Sequence, residues 1–220
     1  MSIAVTKAPP PPTDVGKCLY DSKAILWICQ HWRPAGFLYY DYTGGSSIEW
    51  NDYSVLLSCM GTGERAEIRK MVSPFLKRAV PSWDKKRYFY VLLQAYIETS
   101  GWVQVYSGYP PGSGSQPCTS EHMGFKLQME GGVIKMYATV ANGTNETTLY
   151  LQDYEIRPEL EAILYPGEKA EFYVNKVLKG TITTNIPTGE NEAVELMHIR
   201  VDTNDYAEVT VYEARVYQEA

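Results

Sequence analysis

The sequence predicts an all-β protein, built as a two-sheet antiparallel β-sandwich. From Tyr88 onward, apolar and polar residues alternate with a period of two, and each run is closed by Gly, Pro, Asn or Asp. No run combines the apolar spacing and the end caps of an amphipathic helix. With 220 residues, of which 45% are hydrophobic, the chain is long enough to bury one large core. We therefore predict a single domain over residues 16–220, with about a dozen strands.

Composition and charge narrow the expected partners. The chain has 20 Lys and Arg residues against 26 Asp and Glu residues, and its net charge of −6 repels phosphate backbones, so nucleic acid is not expected. Tyr is in excess, with 18 residues against 5 Trp and 5 Phe. Tyr suits sheet faces that are partly buried and partly wet. Six tyrosines have the parity opposite to the aliphatic residues and are predicted on outer faces: Tyr88, Tyr90, Tyr96, Tyr106, Tyr137 and Tyr173.

Residues 1–15 are predicted to form an arm outside the domain. Pro9, Pro10, Pro11 and Pro12 fix φ and lack backbone donors, which favours polyproline II. We interpret these prolines as an assembly arm held by a neighbouring subunit, and a fortuitous lattice contact or packing on its own domain is the alternative. No apolar run has the length of a Sec signal core or of a membrane span, so neither is expected.

The half of the chain before Tyr88 is less regular. Residues 24–32 form either a buried strand or a short helix, and residues 54–60 and 65–72 are predicted strands. The four cysteines lack the paired spacing of zinc ribbons and are either buried small residues or members of disulfides: Cys18, Cys29, Cys59 and Cys118. We expect no metal and no cofactor.

The half after Tyr88 divides into strands separated by turn residues. Residues 88–97 form a long half-buried strand, and residues 102–106 form another before a loop rich in Gly and Pro. A hairpin turns at Gly131 and Gly132. Asn175 and Lys176 make another tight turn, because Asn tolerates positive φ. The remaining predicted strands are 125–130, 134–140, 149–151, 160–165, 170–174, 177–184, 197–201 and 208–217.

The segment from Ala170 to Gly189, AEFYVNKVLKGTITTNIPTG, resembles a hairpin of the concanavalin A-like lectin/glucanase superfamily. In that hairpin a strand of the type F-Y-V-D/N-G turns into a strand ending in N-I-P-T-G. Lys176 stands where the family usually has Gly, which weakens the expected turn. The resemblance covers residues 80–218. It implies a jelly roll with one convex and one concave sheet, and with sugars bound on the concave face.

The glucanase branch of this family carries its catalytic carboxylates on one strand in the pattern E-x-D-x-E, because alternate residues project to the same face. That pattern is absent from the sequence. The acidic groupings read as a solvated rim: Glu159 with Glu161, Glu168 with Glu171, and Glu190 with Glu192 and Glu195. The basic residues read as a similar rim, or as a surface for an anionic partner: Arg65, Arg69, Lys70, Lys77, Arg78, Lys85, Lys86 and Arg87. We assign no catalytic residue and expect no enzymatic activity.

Aromatic residues near the second long strand are candidates for carbohydrate binding. Trp102, Tyr106 and Tyr109 supply rings on which the apolar face of a sugar stacks, while its hydroxyl groups reach Gln104 or Ser107. The alternative is that Trp102 and Tyr106 simply cover the sheet.

These observations favour a non-enzymatic structural or assembly protein, such as a virion, tail or surface-filament component. Its partners would be further copies or other structural subunits, in a virion or an extracellular assembly. The alternative is a carbohydrate-binding module for adhesion or receptor binding. A glycoside hydrolase without the usual motif is the third interpretation, and it requires two carboxyl groups that face each other across the sugar-binding sheet.

Overall fold

The structure is a computed structural model that describes residues 23–29, 38–42, 44–51, 54–71, 82–108, 120–189, 195–203 and 205–219. Within these ranges the chain forms fifteen strands and no helix, which confirms the predicted all-β class. The strands are β1 (Lys23–Cys29), β2 (Leu38–Tyr42), β3 (Ser47–Trp50), β4 (Val55–Cys59), β5 (Glu64–Met71), β6 (Arg87–Ile97), β7 (Gly101–Gly108), β8 (His122–Glu130), β9 (Val133–Ala141), β10 (Glu146–Asp153), β11 (Glu159–Tyr165), β12 (Lys169–Val174), β13 (Val177–Ile182), β14 (Glu195–Thr203) and β15 (Ala207–Glu219).

The strands form two antiparallel sheets. Sheet A has eight strands in the order β13-β12-β11-β6-β15-β4-β3, with β1 also paired to β15. Strands β1 and β4 lie along the same edge of β15, because β1 pairs with its C-terminal half and β4 with its N-terminal half. Sheet B has seven strands in the order β10-β9-β8-β7-β14-β5-β2. The assignment of β1 as a strand settles the choice between strand and helix that the sequence left open.

The main core lies between the two sheets. Alternate residues of the strands point into it, as in β6, where Phe89, Val91 and Leu93 are buried. Phe125 of sheet B meets Phe172 of sheet A edge to face, with ring centroids 5.5 Å apart and planes at 89°. This aromatic contact joins the two sheets directly.

The tyrosines lie outside this core, as their parity predicts. Among the described residues, the fully buried members of the main core cluster include no tyrosine. Tyr88 belongs instead to a separate small cluster, and Tyr96 is exposed. The six tyrosines that the sequence places opposite the aliphatic residues therefore lie on the outer faces of the sheets.

The hairpin that carries the family resemblance has the predicted turn. Asn175 has a φ of 51° and Lys176 a φ of 66°, so Lys176 adopts the left-handed conformation at the position where the family usually has Gly. The turn is tied to β11, because the backbone N–H of Asn175 donates to the carbonyl of Glu159 at 2.8 Å. The side chain of Asn175 in turn accepts a hydrogen bond from the N–H of Glu159 at 3.0 Å.

Strands β2 and β3 lie outside the strands that the sequence predicts. They are the edge strands of sheet B and sheet A and have only five and four residues. Runs this short do not show a reliable period of two, and only pairing with a neighbouring strand defines them.

The solvated-rim interpretation is wrong for two of the residues assigned to it. Glu161 is buried on β11, and Arg87 is fully buried at the start of β6. The rim prediction rests on the rule that charged side chains usually lie at the surface. Each of these two is instead fixed on a strand, so the position of that strand determines its burial.

Cys59 is a buried free thiol that contacts the carbonyl of Val201, and burial raises its pKa to about 11. Cys18, Cys118, Tyr109 and the arm of Pro9–Pro12 lie outside the described residues.

Candidate functional site

The outer face of sheet B, which we call the polar face, carries a dense set of hydrogen-bonding side chains. On β7, Val103 and Val105 point into the core, so Trp102, Gln104 and Tyr106 point outward. The same alternation on the neighbouring strands gives the rest of this face: Glu67, His122, Lys126, Gln128, Lys135, Tyr137, Thr139, Glu146, Tyr150, Arg200 and Asp202.

Strand register arranges these residues in rows that cross the sheet. The central row consists of Glu67, Arg200, Gln104, Lys126, Tyr137 and Tyr150, one residue from each of six adjacent strands. Neighbouring strands are about 4.8 Å apart, so this row extends about 24 Å. Each residue of the row lies on a different strand, so the row is not visible in the sequence. It exists only because of the strand order.

The end of the row on β5 and β14 is a buried ion group. The guanidinium of Arg200 donates to both carboxylate oxygens of Asp202, with Nη2 at 2.6 Å from Oδ1, and its Nη1 lies 4.0 Å from Oε2 of Glu67. All three side chains are buried. One guanidinium thus bridges the two carboxylates, which do not face each other across an open cleft. This pair does not have the geometry that the hydrolase interpretation requires.

A second buried group surrounds His122 on β8. Its Nδ1–H donates to the carbonyl of Ser120 at 2.7 Å, and its Nε2 forms a hydrogen bond with the hydroxyl of Thr139. Oε1 of Glu146 lies 3.6 Å from the same nitrogen. The ring of Tyr106 stacks on the imidazole with centroids 4.2 Å apart and planes at 15°. These contacts fix Tyr106 within the sheet surface.

The end of the polar face on β7 to β10 is accessible. Trp102, Lys126, Gln128 and Tyr137 are half-buried there, and Tyr150 is exposed. Tyr137 and Tyr150 meet in a T-shaped contact, with centroids 5.7 Å apart. We call these five residues the aromatic end. They combine three aromatic rings with an ammonium and an amide group. The rings can pack on apolar C–H faces, and the two polar groups can form hydrogen bonds with hydroxyl groups.

Hydrogen bonds to carboxylates orient the two tyrosine side chains of the aromatic end. The hydroxyl of Tyr137 donates to Glu130 at 2.8 Å, and burial together with this hydrogen bond raises the pKa of Tyr137 to about 12. The hydroxyl of Tyr150 donates to Asp153 at 2.8 Å, which raises the pKa of Tyr150. Burial lowers the pKa of Lys126, while the carboxylates of Glu146 and Glu130 oppose that change. Both phenols are therefore held by carboxylates.

The predicted sugar-binding residues are partly brought together. Trp102, Gln104 and Tyr106 share the polar face, but Gln104 and Tyr106 are buried, and Tyr109 lies outside the described residues. Ser107 points to the opposite face, because it is one residue from Tyr106 on the same strand, so its hydroxyl does not contribute to this face. The stacking role of Trp102 stays a prediction.

Four residues of the aromatic end are not among the predicted site residues: Lys126, Gln128, Tyr137 and Tyr150. Parity on their own strands predicts that Lys126, Gln128 and Tyr137 face away from the core. The missing information is the order β10-β9-β8-β7, which places them on one surface with Trp102.

Two other features concern the whole of the described chain. No three His, Cys, Asp or Glu side chains come together there as a group that could hold a metal ion. No helix in the same ranges has the length and apolar character needed to cross a membrane.

Comparison with known proteins identifies the fold. No protein-family model matches the sequence, and no curated protein matches it. The carbohydrate recognition domain of Emp47p is similar in structure, with a TM-score of 0.58 and 7% identity over 91% of this chain and 99% of that domain. A structure of botulinum neurotoxin type C, whose cell entry depends on interaction with two ganglioside molecules, has a TM-score of 0.54 and 11% identity over 93% of this chain and 50% of that one.

A sialidase is also similar, with a TM-score of 0.52 and 11% identity over 80% of this chain. The chain spans only 16% of that sialidase and half of the neurotoxin chain. At such identities the likeness shows the fold alone. The chain has the jelly-roll fold of the concanavalin A-like lectin/glucanase type.

Proposed function

We propose that the protein binds carbohydrate through the aromatic end of the polar face. The observation that carries this proposal is the grouping of Trp102, Tyr137 and Tyr150 beside Lys126 and Gln128 on an accessible part of sheet B. A pyranose has an apolar C–H face and a rim of hydroxyl groups. Aromatic rings held in place stack on the C–H face, and an ammonium and an amide group form hydrogen bonds with the hydroxyl groups.

The buried end of the polar face supports this role by holding the sheet in shape. The Arg200 group and the His122 group are internally bonded, so they order the strands on which Trp102 and Lys126 lie. A rigid platform reduces the entropy lost on binding. Two of the similar structures, a carbohydrate recognition domain and a ganglioside-interacting toxin, agree with this class of ligand.

A glycan array tests the proposal. The full chain is applied as the wild type and as Trp102→Ala and Tyr150→Ala variants. We expect a set of bound glycans that both variants bind at least about tenfold more weakly, equivalent to about 1.4 kcal/mol. Tyr96→Ala is the matched control, because Tyr96 and Tyr150 are each 48% exposed and Tyr96 lies on the other sheet.

Binding that is unchanged in both variants, or no binding to any glycan, would contradict the proposal. Circular dichroism of each variant checks that the fold is retained, so that a loss of binding reports the site itself.

A structural or assembly role is the second candidate function. The feature that favours it is the exposed end of the outer face of sheet A, where Tyr96 and Tyr206 pack with ring centroids 5.8 Å apart. Tyr supplies large contact area with few rotatable bonds, which suits an interface between subunits. Light scattering of the full chain tests this role, and a protein that remains monomeric at high concentration would speak against it.

A further inference from the structure

A second, small apolar cluster lies on the outer face of sheet A, away from the main core. It consists of Tyr88 on β6, Tyr217 on β15 and the partly buried Ile163 on β11, and we call it the tyrosine cluster. Strand register places the three side by side, because Tyr88 pairs with both Ile163 and Tyr217. The cluster therefore forms a continuous apolar patch on three adjacent strands.

The tyrosine cluster is buried although it lies on an outer face of the sandwich, where side chains are usually exposed. Tyr88 is 9% exposed and Tyr217 is 5% exposed, whereas Tyr96, on the same strand and the same face as Tyr88, is 48% exposed. Lys86 covers part of the patch, with its ammonium 5.3 Å from the centre of the Tyr88 ring. The described strands all belong to the two sheets, and sheet B packs on the opposite face of sheet A. A segment other than these strands must therefore cover the cluster, as is usual for satellite clusters.

Two segments outside the described strands lead toward this place: residues 1–22 and residues 72–81. Residues 30–37, 72–81 and 190–194 each connect a strand of one sheet to a strand of the other, and residues 109–119 connect two strands of sheet B. Residues 72–81 end at Ser82, whose N–H donates to the side chain of Gln218 at 3.0 Å. Residues 1–22 lead into β1 at the cluster itself, since Ile25 pairs with Tyr217 and Lys23 pairs with Glu219.

The length and chemistry of residues 1–22 fit the cluster. Residues 13–22 separate the four prolines from β1, and at about 3.1 Å per residue they reach about 30 Å, which is enough to turn back over the sheet. Gly16 lies within this span and permits the reversal. Polyproline segments bind aromatic patches because their conformation is fixed beforehand and little entropy is lost on docking.

We propose that the segment Pro9–Pro12 docks on the tyrosine cluster of its own chain. The docked prolines cover Tyr88 and Tyr217 and attach the N-terminal arm to the outer face of sheet A. This surface is separate from the polar face of sheet B, so the proposal does not depend on carbohydrate binding.

Limited trypsin digestion of the full chain tests the docking. Lys7 and Lys17 flank the prolines, and a docked arm protects both sites from cleavage. We expect Tyr88→Ser to raise the cleavage rate at both sites by about tenfold or more, since proteolysis follows the population of the released arm. Tyr96→Ser is the matched control on the same strand and face, and we expect it to leave the rate unchanged.

A second variant leaves sheet A untouched. Replacement of all four prolines by Ser is expected to give the same increase in cleavage, with thermal unfolding showing a folded domain. Cleavage rates unchanged in both variants would overturn the proposal.

A photo-crosslinking amino acid in place of Thr13 identifies the occupant. We expect a crosslink within one chain to β6 or β15. Crosslinks that join two chains would overturn docking in the same chain and assign the cluster to the arm of a second copy. Crosslinks to sheet B would also overturn it.

Discussion

Arg87 lies at the first position of β6 with its side chain directed into the sandwich. Its guanidinium stacks on the indole of Trp83, 3.9 Å from the ring centre, and the described residues offer no hydrogen-bond acceptor to any of its three nitrogens. Burial lowers the pKa of Arg87, while the nearby Glu121 carboxylate opposes that change. Glu121 accepts its own hydrogen bond from Trp83 at 3.1 Å. A buried charge without hydrogen bonds destabilises the native state.

Arg87→Met is therefore expected to raise the free energy of unfolding, by about 1 to 3 kcal/mol, because it supplies an unbranched apolar side chain of roughly similar volume and removes the unsatisfied donors. Urea unfolding at pH 7 measures the change. Lys85→Met, an exposed position in the same segment, serves as the control and is expected to lie within about 0.5 kcal/mol of the wild type. A desolvated cation–π pair contributes about 2 kcal/mol, so a loss of stability in Arg87→Met would show that the contact with Trp83 outweighs the cost of burial.

At the scale of elements, the neighbouring strands β11 and β12 hold two glutamates in opposite environments. Glu171 accepts hydrogen bonds from Lys169 at 2.7 Å, Tyr173 at 2.9 Å and Tyr165 at 3.1 Å, and these contacts, with that of Lys169 largest, lower its pKa. Glu161 is buried one strand away, and burial followed by the charge of Glu159 raises its pKa. The two carboxylates should thus shift stability in opposite directions as the pH changes.

Glu171→Gln is expected to reduce the free energy of unfolding at pH 7, by about 0.5 kcal/mol after allowance for solvent screening. A lowered native pKa stabilises the fold above the unfolded pKa of about 4.3, and this stabilisation is lost as the pH falls through the native value. The deficit of the variant should therefore disappear between about pH 4 and pH 2. Urea unfolding across this range measures it, with the exposed Glu168→Gln as control.

Glu161→Gln is expected to behave in the opposite way. A raised native pKa destabilises the fold at pH values above it, and this penalty is absent below the unfolded pKa of about 4.3. Urea unfolding should show the variant more stable than the wild type at pH 7 and equal to it at about pH 3. A Glu161→Gln variant that is less stable at pH 7 would indicate that Lys176 and Arg215 compensate the burial of Glu161.

For the whole molecule, the two sheets share one core and should unfold together. The contact between Phe125 and Phe172 crosses from sheet B to sheet A, so it reports on their association. A double-mutant cycle with Phe125→Leu and Phe172→Leu is expected to give a coupling energy of about 0.5 to 1.5 kcal/mol. Phe125→Leu combined with Ile97→Val, at the C-terminal end of β6, should be additive within about 0.5 kcal/mol. Two separate unfolding transitions would contradict a shared core.

The sequence determined the all-β class, most strand positions and the side of each strand that faces the core. These properties are local, because a period of two within one strand fixes which residues point inward whatever the strand pairs with. It also determined that six strand tyrosines face away from the main core and that Asn175 turns the hairpin. The outward direction of Trp102 was predictable for the same reason.

Only the tertiary structure decided which outward residues meet and which of them are buried. Trp102 and Tyr150 come to lie on one surface across β7 to β10 because packing selects the strand order, and alternation within a strand carries no information about that order. The burial of Arg87 and Glu161 escaped prediction for a related reason. It is set by elements distant in sequence, whereas their charge is a local property.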